Sequence, residues 1–229
     1  MNTLPSVEYD SVSGESLFVM WESGEATGML APLSVRRPRY RRLLVGILRR
    51  YTPAPATRVL SIGAGNGFTE AELAAAGFSV LATDRSEIAL RFCERKGLAT
   101  AKYEFPEEPS EGLRGFDAVY CDGVLGHLWR PELGCQEFWV KATEFCKRDA
   151  LMLLSNDLSE TDVAPTFGVR ADPRARFFRP PAGWFAQDAQ ASDLWRPVHA
   201  RVLRYRRQGS LRRREILLLR RSLVHEGVV

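Results

Sequence analysis

The sequence predicts an α/β fold: a mostly parallel sheet, helices on both of its faces, and an antiparallel hairpin at its C-terminal end. Three observations carry that expectation. The first is Val59–Leu60–Ser61–Ile62–Gly63–Ala64–Gly65–Asn66–Gly67, an apolar run that ends in three alternate glycines and passes at once into a helix-like pattern. This is the signature of a strand–turn–helix whose backbone must lie close to a ligand, because a side chain on those glycines would block the approach or forbid the turn. The second is the alternation of strand-like and helix-like segments that follows, which requires parallel strands joined by crossover helices. The third is a pair of long strand-like runs around Gln208–Gly209–Ser210, a hairpin signal.

Taken in order, the segment 1–52 precedes the glycine turn. Tyr9, Leu17, Phe18, Met20 and Trp21 are interleaved there with Glu8, Glu15, Glu22 and Glu25, which suits a lid. Residues Arg39–Tyr51 read as an amphipathic helix with Leu43, Leu44, Ile47, Leu48 and Tyr51 on one face and arginines largely opposite, ended by Pro53 and Pro55. From residue 53 to 229 one domain is expected, with strands at Arg58–Ile62, Ser79–Thr83, Ala101–Phe105, Phe116–Cys121 and Ala150–Ser155. Helices are expected at Thr69–Ala76, Ser86–Lys96 and Glu132–Lys147, with Ser86 as N-cap and Gly97 as stop. Residues Asn156–Ser192, rich in Pro, Gly, Asp and Arg, read as loop; His199–Gln208 and Leu211–Leu223 form the hairpin.

Size and composition narrow the function classes. A chain of 229 residues, 45% hydrophobic, is long enough for one domain with a full core. No apolar stretch reaches the roughly 18 residues of a membrane span. The first ten residues have neither a basic head nor an apolar block, so no secretory signal and a cytoplasmic location are expected. The four cysteines, Cys93, Cys121, Cys135 and Cys146, form no C-x-x-C pair, and the three histidines are scattered. Free buried thiols and no metal site follow. The net charge of +4 is modest.

The spacing of the glycines selects a ligand class. They run G-x-G-x-G, and Phe68 stands where a dinucleotide fingerprint needs its last glycine. No G-x-x-x-x-G-K-[ST] is present. A second apolar run, Phe78–Thr83, ends in Asp84, and an acid at the tip of a second strand can accept both hydroxyls of a ribose. The pattern therefore points to a ligand with a ribose and without a diphosphate.

These residues resemble the class I S-adenosylmethionine-dependent methyltransferases, and in particular their small-molecule branch. Ser61–Gly67 resembles the family's glycine motif, Asp84 its ribose-binding acid, and Phe116–Asp122 its fourth strand. The resemblance implies a Rossmann-like, mostly parallel sheet of five strands completed by an antiparallel pair, seven in all, with an N-terminal helical lid. It implies S-adenosyl-L-methionine as cofactor, held by backbone amides of Gly63, Ala64, Gly65 and Gly67, with Asp84 and the adjoining Arg85 at the ribose. Glu104 or Phe105 would flank the adenine, and Cys121 and Asp122 would border the methionine part. The sequence departs from the family at Ser61, where an Asp or Glu is usual; recognition of the cofactor's ammonium must then lean on carbonyls or on another carboxylate, with Asp122, Glu22 and Glu25 as candidates.

Transfer of a methyl group from a sulfonium is an in-line displacement, which needs a shaped site before it needs an acid or base. Asp122 and His127 follow the fourth strand, at the edge where open α/β sheets bind ligands. His127 reads either as a general base for the acceptor or as a packing or capping histidine. Asp122 reads as a group for the cofactor or an acceptor cation, or as a structural turn residue. Asn156 and Asp157 after the fifth strand either orient the acceptor or serve the loop. In the lid, Tyr9, Trp21 and Glu22 are candidates to face an amine-bearing acceptor; Leu17 and Phe18 read as docking residues. The clusters Arg36–Arg42 and Arg212–Arg214 read as solvated faces, not as a nucleic-acid surface. The expected activity is methyl transfer to nitrogen, or to oxygen, of a small-molecule acceptor. A methyltransferase acting on RNA or protein and a non-catalytic cofactor-binding protein are the alternatives. A homodimer through the arginine-rich last strand is compatible with the sequence.

Overall fold

The computed structural model describes residues 16–26, 31–168 and 177–222. Among the described residues three helices come first, α1 (Leu17–Ser23), α2 (Leu33–Arg36) and α3 (Pro38–Tyr51). The alternating core follows: β1 (Arg58–Ile62), α4 (Phe68–Ala75), β2 (Ser79–Asp84), α5 (Glu87–Arg95), β3 (Ala99–Lys102), β4 (Phe116–Asp122), α6 (Leu125–Leu128), α7 (Gln136–Phe145) and β5 (Cys146–Asp157). Next come a small hairpin, β6 (Thr166–Gly168) and β7 (Phe177–Arg179), and then α8 (Trp184–Gln190). The last described elements are β8 (Trp195–Arg207) and β9 (Ser210–Arg221).

Seven strands form one sheet in the order β3-β2-β1-β4-β5-β9-β8. The first five are parallel, and β9 pairs antiparallel with both β5 and β8. The β8–β9 turn is tight because Gln208 and Gly209 both take positive φ, 47° and 78°, the geometry that matches strand twist. Side chains alternate between two cores. Leu60, Val119, Met152, Leu154 and Leu217 face Phe138, Trp139 and Phe145 of α7 and Phe185 of α8. Val59, Ala118, Leu151, Leu153, Ile216 and Leu218 face Leu44 and Leu48 of α3 and Leu73 of α4. Leu44 and Leu48 are fully buried, each stabilising the fold by about 1.5–3 kcal/mol through transfer from water.

The structure moves several predicted boundaries. The third strand lies at Ala99–Lys102, because its pairing with β2 ends at Asp84↔Lys102 and Tyr103 N–H donates to the Asp84 carbonyl as the chain turns away. Glu104 and Phe105 therefore lie beyond the strand. The predicted helix 132–147 is shorter: Arg130 and Gly134 exchange two 2.8 Å backbone hydrogen bonds, which holds 130–134 in a tight loop. At its other end Cys146 already begins β5. The stretch read as loop contains β6, β7 and α8, and β8 begins at Trp195, whose indole N–H donates to the Trp139 carbonyl at 2.9 Å. All four cysteines are buried and free. No helix among the described residues is long and apolar enough to cross a membrane.

Candidate active site

The site grows from the β1–α4 turn. Gly63, Gly65 and Gly67 have φ of 69°, 55° and 72°, so every second residue occupies the left-handed region. At Gly67 the need is steric as well: an added Cβ would stand 2.8 Å from Cys93 Sγ and 2.9 Å from a Leu98 methyl. The turn is tied to β2. Ala64 N–H donates to the Thr83 carbonyl (2.9 Å), and the Thr83 hydroxyl donates to the Ser61 carbonyl (2.7 Å). The buried Asp84 carboxylate accepts from Gly65 N–H and from Ser86 N–H, both at 2.9 Å. Burial raises its pKa, and the two amides work against that rise.

Phe68 opens α4 instead of completing a glycine fingerprint. Its ring receives Lys96 Nζ at 4.5 Å from the centroid. Lys96 also pairs with Glu22 of α1 at 2.6 Å. This fixes α1 over the turn: Asn66 Nδ2 donates to the Phe18 carbonyl (2.8 Å) and to Glu22 Oε2 (2.9 Å). Phe18 and Trp21 meet edge to face at 5.2 Å and pack with Ala89 and Phe92 of α5. Both rings stand within 4 Å of the position a Cβ on Gly65 would take.

Further along the sheet edge lies a second polar group. Arg214 of β9 is buried between Asp122 of β4 and Asp157 of β5, in ion pairs with both. Its Nε donates to the Ser155 hydroxyl at 2.8 Å and to the Tyr40 hydroxyl at 3.0 Å. Tyr40 in turn donates to Ser155 at 2.7 Å. The cationic neighbour holds the Asp157 carboxyl below its ordinary range despite burial, and burial pushes the Tyr40 phenol up.

The fold built around these groups matches solved structures over most of its length. A 1,6-didemethyltoxoflavin-N1-methyltransferase from Burkholderia thailandensis superposes with a TM-score of 0.66 at 18% identity, covering 89% of this chain and 84% of that one. The CcbJ methyltransferase from Streptomyces caelestis superposes with a TM-score of 0.65 at 16% identity, covering 90% and 96%. The fold is that of the class I S-adenosylmethionine-dependent methyltransferases. In sequence, the chain is 33% identical over 146 residues, 63% of its length, to a tabtoxin biosynthesis enzyme from Pseudomonas amygdali pv. tabaci. It is 25% identical over 153 residues to the ubiquinone biosynthesis O-methyltransferase of Rickettsia prowazekii (strain Madrid E). The chain spans 58% of the length of each of these curated relatives. No family model matches it.

Within this methyltransferase fold the expected residues fall into three groups. Gly63, Ala64, Gly65, Gly67 and Asp84 come together at the β1–β2 edge. Arg85 reaches Glu104 at 3.3 Å across the β2–β3 exit, both partly exposed. Phe105 packs edge to face on Tyr103 and lies 5.4 Å from Phe138, half-buried. The second group is occupied by structural partners. Cys121 is fully buried in the core on the α7 side, so only its backbone can face a ligand. The Asp122 carboxylate is neutralised by Arg214. Asn156 is buried, accepts from Gly126 N–H at 3.2 Å and donates to the Asp157 carbonyl at 3.0 Å, stitching α6 to β5. Trp21 and Glu22 dock α1. The third group is separate: His127 on α6 meets the Phe177 ring at 4.7 Å, beside Trp129, which stacks on Phe178, and Trp184, which meets Phe178 edge to face. Tyr9 lies outside the described residues.

The arginine clusters are more than solvated faces. Arg41 pairs with Glu72 at 2.6 Å, Arg37 donates to the Arg206 carbonyl, and Arg212 and Arg213 pair with Glu160 and Asp162. Sequence reasoning missed Glu70, Tyr40, Ser155 and Arg214. Tyr40 carried a signal, since it lies four residues before Leu44 and eight before Leu48 on one helical face. Arg214 shares the strand period of Ile216 and Leu218.

Proposed function

We propose that the chain is an S-adenosylmethionine-dependent methyltransferase that acts on nitrogen or oxygen of a small-molecule acceptor. The observation that carries this reading is the joining of the three left-handed glycines to Asp84 through the Gly65 amide. That arrangement fits the cofactor. The amides of Ala64, Gly65 and Gly67 are engaged within the turn, so the glycines serve close approach of the backbone to a ligand, and each Asp84 oxygen retains a lone pair for a ribose hydroxyl. Bound, the cofactor would supply an electrophilic methyl group on a sulfonium.

The chain's own residues would provide binding, exclusion of water and removal of a proton. Phe18 and Trp21, standing over Gly65, would shield the reacting centre as α1 closes. His127 is the group we assign to take the acceptor's proton, because it stands after β4 at the sheet's carboxyl edge, where open α/β sheets bind ligands, and an imidazole is suited to accept a proton near neutrality. The aromatic rings of Trp129 and Phe177 near His127 suit a planar acceptor. The acidic lid no longer favours nitrogen over oxygen, since Glu22 is engaged by Lys96 and Asn66. The names of the relatives support a small molecule: a toxoflavin N1-methyltransferase, a ubiquinone biosynthesis O-methyltransferase and a tabtoxin biosynthesis enzyme. The engagement of Arg37, Arg41, Arg212, Arg213 and Arg214 in bracing the fold weighs against RNA.

The test is incubation with methyl-labelled cofactor and fractionated metabolite extract, RNA and protein in parallel. Label in the small-molecule fraction is expected, and it should fall sharply in His127→Ala. Label confined to RNA or protein, or cofactor binding with no transfer in any fraction, would overturn the reading.

A further inference from the structure

A buried acid under the glycine turn has no part in the mechanism above. Glu70 lies in the first turn of α4 and is only 3% exposed. It accepts a 2.6 Å hydrogen bond from the Ser61 hydroxyl at the end of β1. Among the described residues it takes part in no ion pair. The titratable groups around it deepen the charge imbalance. Asp84 of β2 and Asp122 of β4 both disfavour its ionised form. Tyr120 of β4 and Cys93 of α5 also face it, and both are held protonated by burial. Asp122 has Arg214 as its cation, and Asp84 has backbone amides; Glu70 has the Ser61 hydroxyl and its own backbone amide.

A carboxylate in that position would be retained at a cost in stability unless it met a positive charge in the working protein. The methionine end of an adenosyl cofactor carries one, an ammonium. We propose that Glu70, reaching Ser61 from α4, supplies the negative charge that recognises this ammonium, and that cofactor binding expels a proton from Glu70. The proposal rests on the cofactor reading given above. It also accounts for Ser61: the strand end carries a hydroxyl, and the charge comes from the neighbouring helix. Burial raises the pKa of Glu70 to about 7, so near neutrality the group stands ready to lose a proton when a cation arrives.

The experiment is calorimetry of the full chain at pH 7, in phosphate and in Tris, which differ in ionisation enthalpy and so reveal protons released on binding. Two ligands are compared: S-adenosylhomocysteine, and 5′-methylthioadenosine, which keeps adenine and ribose but lacks the amino-acid part. For a group titrating at about 7, S-adenosylhomocysteine should release roughly half a proton, and 5′-methylthioadenosine none. Glu70→Gln, which preserves shape, should abolish the release and weaken S-adenosylhomocysteine about tenfold, the equivalent of one pKa unit, without changing 5′-methylthioadenosine. The double variant Ser61→Asp/Glu70→Gln, with its charge on the strand, should regain most of the affinity. Wild-type affinity and proton release in Glu70→Gln, or equal weakening of both ligands, would overturn the proposal while leaving the cofactor reading in place. Failure of the wild-type chain to bind either ligand would overturn both.

Discussion

Two polar clusters sit on the same face and the same edge of the sheet, and they are built on opposite principles. Toward β4, β5 and β9, two carboxylates share one buried guanidinium, and Tyr40 and Ser155 take up its remaining donor. Toward β1 and β2, Asp84 and Glu70 are buried, form no ion pair among the described residues, and are met by amides and one hydroxyl. In the Arg214 cluster each carboxylate is in contact with a cation, although two acids share one guanidinium, and the group joins α3 to three strands. An uncompensated cluster destabilises the empty protein and becomes favourable when a cation arrives. Position at the carboxyl edge is therefore insufficient to mark a binding residue. Asp122 and Glu70 are neighbours, and Arg214 stands beside only Asp122; the role proposed for Glu70 rests on that difference.

The comparison breaks most readily at Arg214. Arg214→Ala leaves Asp122 and Asp157 buried without their cation and should cost about 3–5 kcal/mol, read from urea denaturation. A loss below about 1 kcal/mol would mean that this cluster is not a brace.

The opposite sign is expected at Glu70. Its pKa rises from about 4.5 when exposed to about 7 in the fold, so the folded state holds the proton more tightly than the unfolded one. The stability this confers is complete below about pH 4.5 and is lost as pH rises through about 7. Above that the buried charge costs about 3 kcal/mol. Glu70→Gln should therefore make the chain more stable at pH 8 by about that amount and change it little at pH 4.5. Denaturation curves at the two pH values decide the matter, and a variant less stable at pH 8 contradicts the uncompensated charge.

Asp84→Ala should weaken S-adenosylhomocysteine by about 1.5–3 kcal/mol, the range for hydrogen bonds to a charged group, as measured by calorimetry. Unchanged affinity would remove Asp84 from the ribose. The smallest effect is expected at the lid. The Glu22–Lys96 pair is partly exposed, so Glu22→Gln should cost about 0.2–1 kcal/mol. Hydrogen exchange should quicken in α1 and stay unchanged in β4 and β5; a uniform change would mean that α1 is not a separate closing element.

Local pattern made much of this architecture readable. The glycine turn was legible because alternate glycines after an apolar strand constrain only the residues they occupy. Asp84 followed from its place at the end of the next strand. Ser86 and Gly97 bracket α5 as capping chemistry requires: Ser86 Oγ accepts from Ala89 N–H, and Gly97 has φ of 77°. Boundaries failed where non-local contacts decide them. The third strand is placed by its register with β2, and the start of α7 by the paired backbone of Arg130 and Gly134.

The candidate site divides along the same line. The sequence by itself determined the turn, the acid at the second strand tip and the order of strands and helices, because each depends on residues a few positions apart. Only the tertiary structure decided which charges are neutralised. Arg214 reaches Asp122 across 92 residues and Tyr40 across 174. Glu70 meets Ser61 because the glycine turn folds α4 back against β1. Whether a carboxylate is balanced depends on which cation the packing brings within a few ångströms, and in a low-dielectric interior that distance sets its energy.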